Sequence, residues 1–357
     1  MSKGKSLVRM LKVESIINNK FEDYLFSSIR EYARTIVYVD GEDIRLAQAL
    51  KIFQDYNPSK TIMLGSEKTI KENLKETGLF NSNYIEIIEP KRSKKFQEYI
   101  ELLISIFSGK GKELSAEDAI KLVSKPNYYA SLMMKVGDAN CGISGSLSPT
   151  QKMMRPLIQV LGTGNPKRYL SGAVLLNLPD CQFGLDGKLL FSDVAVIPEP
   201  DEKQMIDIIL SSYQTAKAFY DGEPKIAILS YSTKGSADSE KICQIRKVVK
   251  KVKKINPAIA IDGELQLDAA IIPEVAKSKC PESEVAGTAN VLIFPNLESA
   301  NICVKAVNRL AKTDYYGTII QGSPVPFNDL SRGSPPVEIV KLSGLTLMQL
   351  KRVESKT

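Results

Sequence analysis

The segment Asn328-Asp-Leu-Ser-Arg-Gly333 carries the side chains with the clearest chemical potential. The guanidinium of Arg332 can bind a phosphate with two parallel hydrogen bonds, and the hydroxyl of Ser331 can donate to negative charge that develops during a reaction. Glu338 follows in the first turns of a predicted helix and could return to the same site. Composition alone favours an ordinary surface turn, so this hypothesis depends on the rest of the chain.

A second group of polar side chains lies between Gly137 and Arg155. Hydroxyls precede a predicted helix, and Arg155 lies one turn into it, an arrangement that suits an anion. The glycines match neither G-x-x-x-x-G-K-[ST] nor G-x-G-x-x-G, so a tight turn is the simpler explanation of the glycines alone. The hydroxyls belong to Ser144, Ser146, Ser148 and Thr150.

Two further polar segments, residues 230–237 and 262–266, follow predicted strands in the second half of the chain. Hydroxyls at the carboxyl end of a strand lie where open α/β sheets bind ligands, although a plain surface loop is an equal alternative for 230–237. For the carboxylates of Asp262 and Glu264, capping of neighbouring elements is the preferred interpretation.

The chain contains no histidine. This excludes Ser-His-Asp and Cys-His nucleophile systems, histidine metal sites and the most common general base. Acid–base chemistry must therefore use a carboxylate, a lysine, a tyrosine or a cysteine. The five cysteines are scattered and form no C-x-x-C pair, so we expect neither a disulfide framework nor a metal site.

The composition is that of a soluble globular protein, with 43% apolar and 25% charged residues among 357. No apolar run is long enough to span a bilayer and no signal-peptide pattern is present, so we expect a cytoplasmic protein without a membrane partner. The net charge of +7 is locally dense over residues 241–254. Apolar residues at helical spacing and the lack of interleaved aromatics favour an amphipathic helix there over a nucleic-acid partner.

Strands and helices alternate along both halves of the chain, which predicts parallel sheets with helices on both faces. In the first half, predicted strands over 35–39 and 61–64 alternate with helices over 67–77 and 96–107, and residues 162–166 look like a boundary. The second half has predicted strands near 172–178, 189–197, 225–231, 258–262, 291–295 and 318–320, before a closing helix over 336–352.

Taken together and in order, the motifs of this chain resemble those of the phosphate acetyl/butyryl transferase family. The resemblance covers nearly the whole chain, which makes it far more specific than any single motif. It rests on Glu42-Asp-Ile-Arg45, Ser144-Gly145, Arg155-Pro156, Pro179-Asp-Cys181, Phe191-Ser-Asp193, residues 230–237 and 262–266, Val285-Ala-Gly287, Ile293-Phe-Pro295, Gln321-Gly322 and residues 328–333.

The resemblance implies a two-domain α/β protein, a parallel-sheet-based sandwich of the isocitrate and isopropylmalate dehydrogenase type. One domain would comprise residues 1–165 and 321–357, including the C-terminal helix, and the other residues 166–320. The active-site cleft would lie between them. The resemblance also implies a homodimer without a metal or a tightly bound cofactor.

The implied reaction is the transfer of an acyl group, most often acetyl, in which acetyl-CoA and phosphate give acetyl phosphate and coenzyme A. In the family mechanism a carboxylate removes the thiol proton of coenzyme A, and the thiolate attacks the acyl-phosphate carbonyl. By position the resemblance makes Glu338 the base, Arg332 the group that holds the phosphoryl or coenzyme A anion, and Ser331 the group that stabilises the transition state. The substrate-binding positions that it implies are Arg155, Ser148, Thr150, Tyr316, Gly322 and Lys110.

The chain departs from the family pattern at several positions close to this site. Lysines follow Gly109 where the family has an arginine, Lys152 and Glu338 replace aspartates, and Ser334 replaces a cysteine. These departures leave open a catalytically impaired homologue that binds coenzyme A or serves as a regulatory or assembly protein. A phosphate butyryltransferase is a second alternative, because the shape of the acyl pocket decides the acyl-chain preference and the sequence does not show that shape.

Overall fold

The computed structural model describes residues 17–149, 151–164, 168–179 and 182–355. A 3₁₀ turn at Pro90–Arg92 precedes the helix Phe96–Ser108, and the π-helical residues Leu157–Leu161 continue the helix Gln151–Pro156. The strands are β1 (Thr35–Tyr38), β2 (Lys60–Leu64), β3 (Ile85–Ile88), β4 (Cys141–Ser144), β5 (Ser171–Asn177), β6 (Lys188–Ser192), β7 (Lys225–Leu229), β8 (Ala260–Leu265), β9 (Val291–Ile293), β10 (Asp314–Gln321) and β11 (Phe327–Asp329). The helices are α1 (Lys20–Ile29), α2 (Ile44–Phe53), α3 (Glu67–Thr77), α4 (Phe96–Ser108), α5 (Ala116–Val123), α6 (Pro126–Val136), α7 (Gln151–Pro156), α8 (Glu202–Phe219), α9 (Glu240–Ile255), α10 (Leu267–Ile271), α11 (Pro273–Lys279), α12 (Leu297–Leu310) and α13 (Pro336–Glu354).

The first sheet is parallel throughout, with the strand order β11-β4-β1-β2-β3 in the described residues. In the central strand β1, Val37 lies opposite Gly142 of β4 and Ile62 of β2. Both Val37 and its neighbour Ile36 are fully buried, because helices cover the two faces. Helices α1, α2 and α13 pack on one face, and α4, α5 and α6 pack on the other.

The second sheet is mixed, with the order β10-β5-β6-β9-β7-β8 in the described part of the chain. Strands β6, β9, β7 and β8 are parallel, whereas β5 runs antiparallel to both β10 and β6. Helices α8 and α9 cover one face, and α10, α11 and α12 cover the other. The α/β fold class predicted from the sequence is therefore confirmed.

Helix α13 connects the two sheets. We call each sheet together with the helices that cover it a unit. Helix α13 packs against α1 and α2 of the first unit and against α8 and β10 of the second unit. At this junction the buried Lys341 forms ion pairs with the fully buried Glu22 and, at 3.4 Å, with Asp314. Tyr316 donates to Glu22 Oε1 at 2.8 Å, so α1, α13 and β10 share one polar cluster.

The division into residues 1–165 with 321–357 and residues 166–320 stays a proposal. It is supported by the two sheets, since β1–β4 and β11 form one and β5–β10 form the other. The first proposed boundary falls among residues 165–167, which lie outside the described ranges.

Two local predictions differ from the structure. Strand β4 lies inside the small-residue stretch 137–145, where only a turn was predicted. The strand predicted over 189–197 ends at Ser192. It ends there because the buried carboxylate of Asp193 accepts hydrogen bonds from the backbone N–H groups of Ala195, Val196 and Ile197 and turns the chain.

Candidate active site

A cavity of about 860 Å³ lies between the two sheets. The first unit contributes the loop after β4, the turn after β11 and the first turn of α13. The second unit contributes the loop after β6, one face of α12 and part of β10. Four of the residues predicted for the site line this cavity, namely Ser148, Ser331, Arg332 and Glu338.

The turn after β11 presents Arg332 to the cavity. The N–H of Ser334 donates to the carbonyl of Ser331 at 2.9 Å, which places Arg332 and Gly333 at the corner of the turn. The N–H of Leu330 donates to the carbonyl of Ser144 at 2.7 Å and ties the turn to strand β4. The Arg332 side chain is exposed and forms no ion pair with any part of the chain that the structure describes, so its guanidinium is available to an anion.

Glu338 is held by the start of α13. Pro336 occupies the first position of the helix, where a missing N–H costs nothing, and Glu338 lies in the first turn. Its N–H donates to the carbonyl of Pro335 at 3.0 Å, and its half-buried side chain faces the cavity. Pro335 at the N-cap and Pro336 at the first helical position therefore define where this helix begins.

The loop after β4 is organised by Asp40, which lies two residues after the end of β1. Its carboxylate accepts hydrogen bonds from the N–H of Gly145 at 2.8 Å and from the hydroxyl of Ser148 at 3.4 Å. Burial raises the pKa of Asp40, and these hydrogen bonds oppose the increase. Gly145 has φ +101°, and a Cβ there would lie 2.2 Å from Oδ1 of Asp329. Glycine is therefore required where the two site loops meet.

The second unit adds side chains that the sequence interpretation missed. Lys305 and Arg309 lie one turn apart on the cavity face of α12, and Tyr315 lines the cavity from β10. Burial raises the pKa of Tyr315 to about 12, and the nearby charges of Glu338 and Asp329 add to the increase. Tyr315 is therefore a neutral phenol near neutral pH, beside the carboxylate of Glu338.

Tyr316, which was predicted to bind substrate, does not line the cavity. It is 1% exposed and its hydroxyl accepts from Asn19 at 3.0 Å and donates to Glu22, on the interior side of β10. Neighbouring residues of a strand point to opposite faces, so the cavity receives Tyr315 instead. This alternation is the signal that could have identified Tyr315.

Gly322 also lies away from the cavity. Its φ is +81°, and a Cβ would lie 2.6 Å from the carbonyl oxygen of Tyr169, so this glycine is explained by a close backbone contact.

Two further predicted substrate-binding residues, Arg155 and Lys110, lie on helix α7 and against its π-helical continuation, respectively. Arg155 is exposed, close to Tyr128, and is not part of the cavity lining. Lys110 donates to the carbonyl of Gln159 at 2.7 Å and lines a second cavity of about 1000 Å³, which also contains Lys112, Arg168 and Lys203. Thr150 lies outside the described residues.

Two motifs of the second unit hold its own structure together. Glu264 is fully buried and accepts hydrogen bonds from Arg246 at 2.9 and 3.0 Å and from the N–H of Gly235 at 2.8 Å. Burial alone would raise the pKa of Glu264, but these donors lower it to about 2. The amide oxygen of Gln321 accepts hydrogen bonds from three buried serines, Ser171, Ser192 and Ser212.

The described residues offer neither a metal-binding cluster nor a membrane-spanning helix. Within them, no group of three or more histidine, cysteine, aspartate or glutamate side chains is placed to hold a metal ion. None of the described helices combines the length and the apolarity needed to cross a bilayer.

Comparison with known proteins identifies the family of this chain. The sequence model of the family described as phosphate acetyl/butaryl transferase matches residues 20–347. The chain is 39% identical over 333 residues to the phosphate acetyltransferase of Clostridium acetobutylicum, which covers 92% of this chain and 99% of that protein. The corresponding enzyme of Bacillus subtilis is 33% identical over 329 residues, or 91% and 98% of the two chains. A solved phosphotransacetylase from Streptococcus pyogenes has a TM-score of 0.85 and 34% identity over 92% of this chain and 98% of that one. The chain belongs to the phosphate acetyl/butyryl transferase family.

Proposed function

We propose that this protein catalyses the reversible transfer of an acetyl group between coenzyme A and inorganic phosphate. The observation that carries the proposal is the placement of Ser331, Arg332 and Glu338 around one cavity between two α/β units. Relatives that are 33% and 39% identical over nearly their whole length are phosphate acetyltransferases, which supports acetyl as the transferred group.

The side chains that line the cavity can support both the attack of the thiolate and the departure of phosphate. Glu338 accepts the thiol proton of coenzyme A, and the resulting thiolate attacks the carbonyl carbon of acetyl phosphate. As the carbon–sulfur bond forms, Ser331 donates a hydrogen bond to the developing oxyanion. The bond between the carbonyl carbon and the phosphate oxygen then breaks, phosphate leaves with its negative charge balanced by Arg332, and the proton on Glu338 passes to the departing phosphate.

The charged side chains that line this cavity favour the binding of anionic substrates. Arg332, Lys305 and Arg309 outnumber the carboxylates of Asp329 and Glu338 in the lining, which favours phosphate and acetyl phosphate.

The second cavity extends this argument to the rest of coenzyme A. Pro149 lines the first cavity and Ile158 lines the second, and helix α7 lies between these two residues in the chain. We expect the phosphorylated end of coenzyme A to follow this helix past Arg155 toward Lys110, where cations replace the missing family arginine.

The location, the oligomeric state and the cofactor requirement of the protein also belong to this proposal. We expect a cytoplasmic homodimer that uses coenzyme A as a substrate and requires no tightly bound cofactor. Sedimentation equilibrium would measure the oligomeric state.

The two alternatives are not favoured. An impaired homologue would be expected to lose the joint placement of Ser331, Arg332 and Glu338, which this chain retains. A butyryl preference has no support from the named relatives, which are acetyltransferases.

The direct test is thioester formation from coenzyme A and acetyl, propionyl or butyryl phosphate, followed by ultraviolet absorbance. We expect acetyl phosphate to be the best donor. Replacement of Arg332 with alanine should lower kcat/KM by about 10³-fold, because a charge-assisted clamp on the reacting phosphoryl group is lost.

Arg34→Ala serves as the control for this variant. Arg34 forms a surface ion pair with Glu354 and takes no part in the cavity lining. A folded wild-type protein that turns over none of the three donors would overturn the proposed function.

A further inference from the structure

The guanidinium of Arg45, in the first turn of α2, is fully occupied by the protein. Its Nη1 donates to the carbonyls of Arg332 at 2.9 Å and Ser334 at 3.0 Å. Its Nη2 donates to the carbonyl of Ser146 at 3.0 Å and to Oδ2 of Asp43 at 2.7 Å, and its Nε donates to Oδ1 of Asp43 at 3.0 Å. A guanidinium has five N–H donors, and these contacts use all five. Arg45 therefore has no donor left for a substrate.

The three carbonyls belong to two separate loops of the cavity. The turn 331–334 carries Ser331 and Arg332, and the loop after β4 carries Ser148. The carbonyl contacts of Arg45 cross-link these loops, although they are far apart in the chain. Because the Arg332 backbone is held while its side chain is exposed, the position of that backbone determines where the guanidinium of Arg332 can reach.

Asp43 fixes the orientation of Arg45. Asp43 is 4% exposed, caps the N-terminus of α2 and binds the guanidinium with both carboxylate oxygens. Burial alone would raise the pKa of Asp43, but the hydrogen bonds from Arg45 hold it below its usual value. The pair is therefore a charged, planar and bidentate unit, a geometry that a lysine ammonium does not reproduce.

We propose that Arg45 is a positioning residue for acetyl transfer, which sets the placement of Arg332 and Ser331 by clamping their turn to the loop that carries Ser148. This inference rests on the proposed function and adds to it a residue that never touches the substrate.

The test compares Arg45→Lys with wild-type enzyme in the forward assay. We expect kcat to fall by about 100-fold, the loss that a displacement of about 1 Å at a catalytic group causes. The KM values for coenzyme A and acetyl phosphate should change by less than about three-fold, because Arg45 does not bind either substrate.

The matched control is Arg34→Lys. Arg34 also binds a carboxylate with two nitrogens, at 2.6 and 3.1 Å from Glu354, and its side chain is 35% exposed against 27% for Arg45. We expect this variant to keep the wild-type kcat. Equal kcat values for the two lysine variants would overturn the proposal, and so would a raised KM for coenzyme A with an unchanged kcat.

Two further measurements keep the result decisive. If Arg45→Lys does not fold, Asp43→Asn replaces it in the test. That change keeps the arginine but removes the carboxylate that fixes the orientation of its guanidinium. Hydrogen–deuterium exchange of peptides that span the turn 331–334 should be faster in the variant than in wild type, and unchanged exchange would count against the clamp. Inactive wild-type enzyme would instead refute the proposed function, and exchange at the turn would then decide the role of Arg45 alone.

Discussion

At the scale of single residues, the site has to work without histidine. A carboxylate in water is a weaker base than a thiolate by about four pKa units, so the thiolate of coenzyme A needs stabilisation from positive charge. Arg332, Lys305 and Arg309 place three cations around the cavity, and Glu338 provides the carboxylate. The neutral phenol of Tyr315 adds a hydrogen-bond donor without adding charge.

Replacement of Glu338 with glutamine should lower kcat by about 10²–10⁴-fold, because the amide cannot accept the thiol proton. Steady-state kinetics with coenzyme A and acetyl phosphate would measure the change. Glu298→Gln is the matched control, since Glu298 also lies in the first turn of a helix but outside the cavity lining. A Glu338→Gln variant with the kcat of this control would remove Glu338 from the mechanism.

At the scale of elements, the site is built from loops at the carboxyl ends of parallel strands. Asp40 follows β1, Gly145 follows β4, and the turn 331–334 follows β11, and these three strands are neighbours in the sheet. Parallel strands bring their carboxyl ends to one edge, so residues that are distant in the chain meet there. Gly145 is the position at which two of these loops are in closest contact.

Replacement of Gly145 with alanine should destabilise the protein by about 3 kcal/mol or more, because it combines a positive φ with a steric clash against Asp329. Gly78→Ala separates the two effects, since Gly78 has φ +79° and a Cβ added there would meet nothing within 4 Å. We expect about 1 kcal/mol for Gly78→Ala in urea unfolding. Equal losses for the two variants would show that the contact with Asp329 has no energetic role.

At the scale of the whole molecule, the buried cluster at α13 joins the units that enclose the cavity. Lys341 is 7% exposed and neutralises Glu22 in the interior, where an unpaired carboxylate is costly. Because α1 and α13 pack on the first sheet and Asp314 belongs to β10 of the second, this cluster contributes to the relative placement of the two walls of the site.

Lys341→Met should lower the free energy of unfolding by about 3–5 kcal/mol, because Glu22 would remain buried without its ion-pair partner. The double variant Glu22→Gln with Lys341→Met should recover part of that loss. Lys351→Met, on the exposed part of the same helix, should change stability by less than about 0.5 kcal/mol. A loss for Lys341→Met as small as that of Lys351→Met would contradict the role of the cluster.

Long elements with a clear pattern were predictable because their own side chains encode them. The helix predicted over 67–77 is α3, and the buried stripe predicted over 241–254 is the buried face of α9. The short strands β4 and β11 were missed, since Cys141–Ser144 and Phe327–Asp329 are too short to show alternation and are strands only because β1 and its neighbours pair with them.

The family, the α/β class and the residue types available for chemistry could be inferred from the sequence, because motif order and the absence of histidine are properties of the chain. Which of these residues meet depends on the three-dimensional fold. The fold brings Ser148, Ser331, Arg332 and Glu338 to one cavity. It places Tyr315 in the cavity lining and Tyr316 in the interior, and it places Gly322 in a close backbone contact. Linear spacing could not specify these contacts, because the face on which a strand residue lies, the close packing of loops and ion pairs between distant elements depend on three-dimensional neighbours.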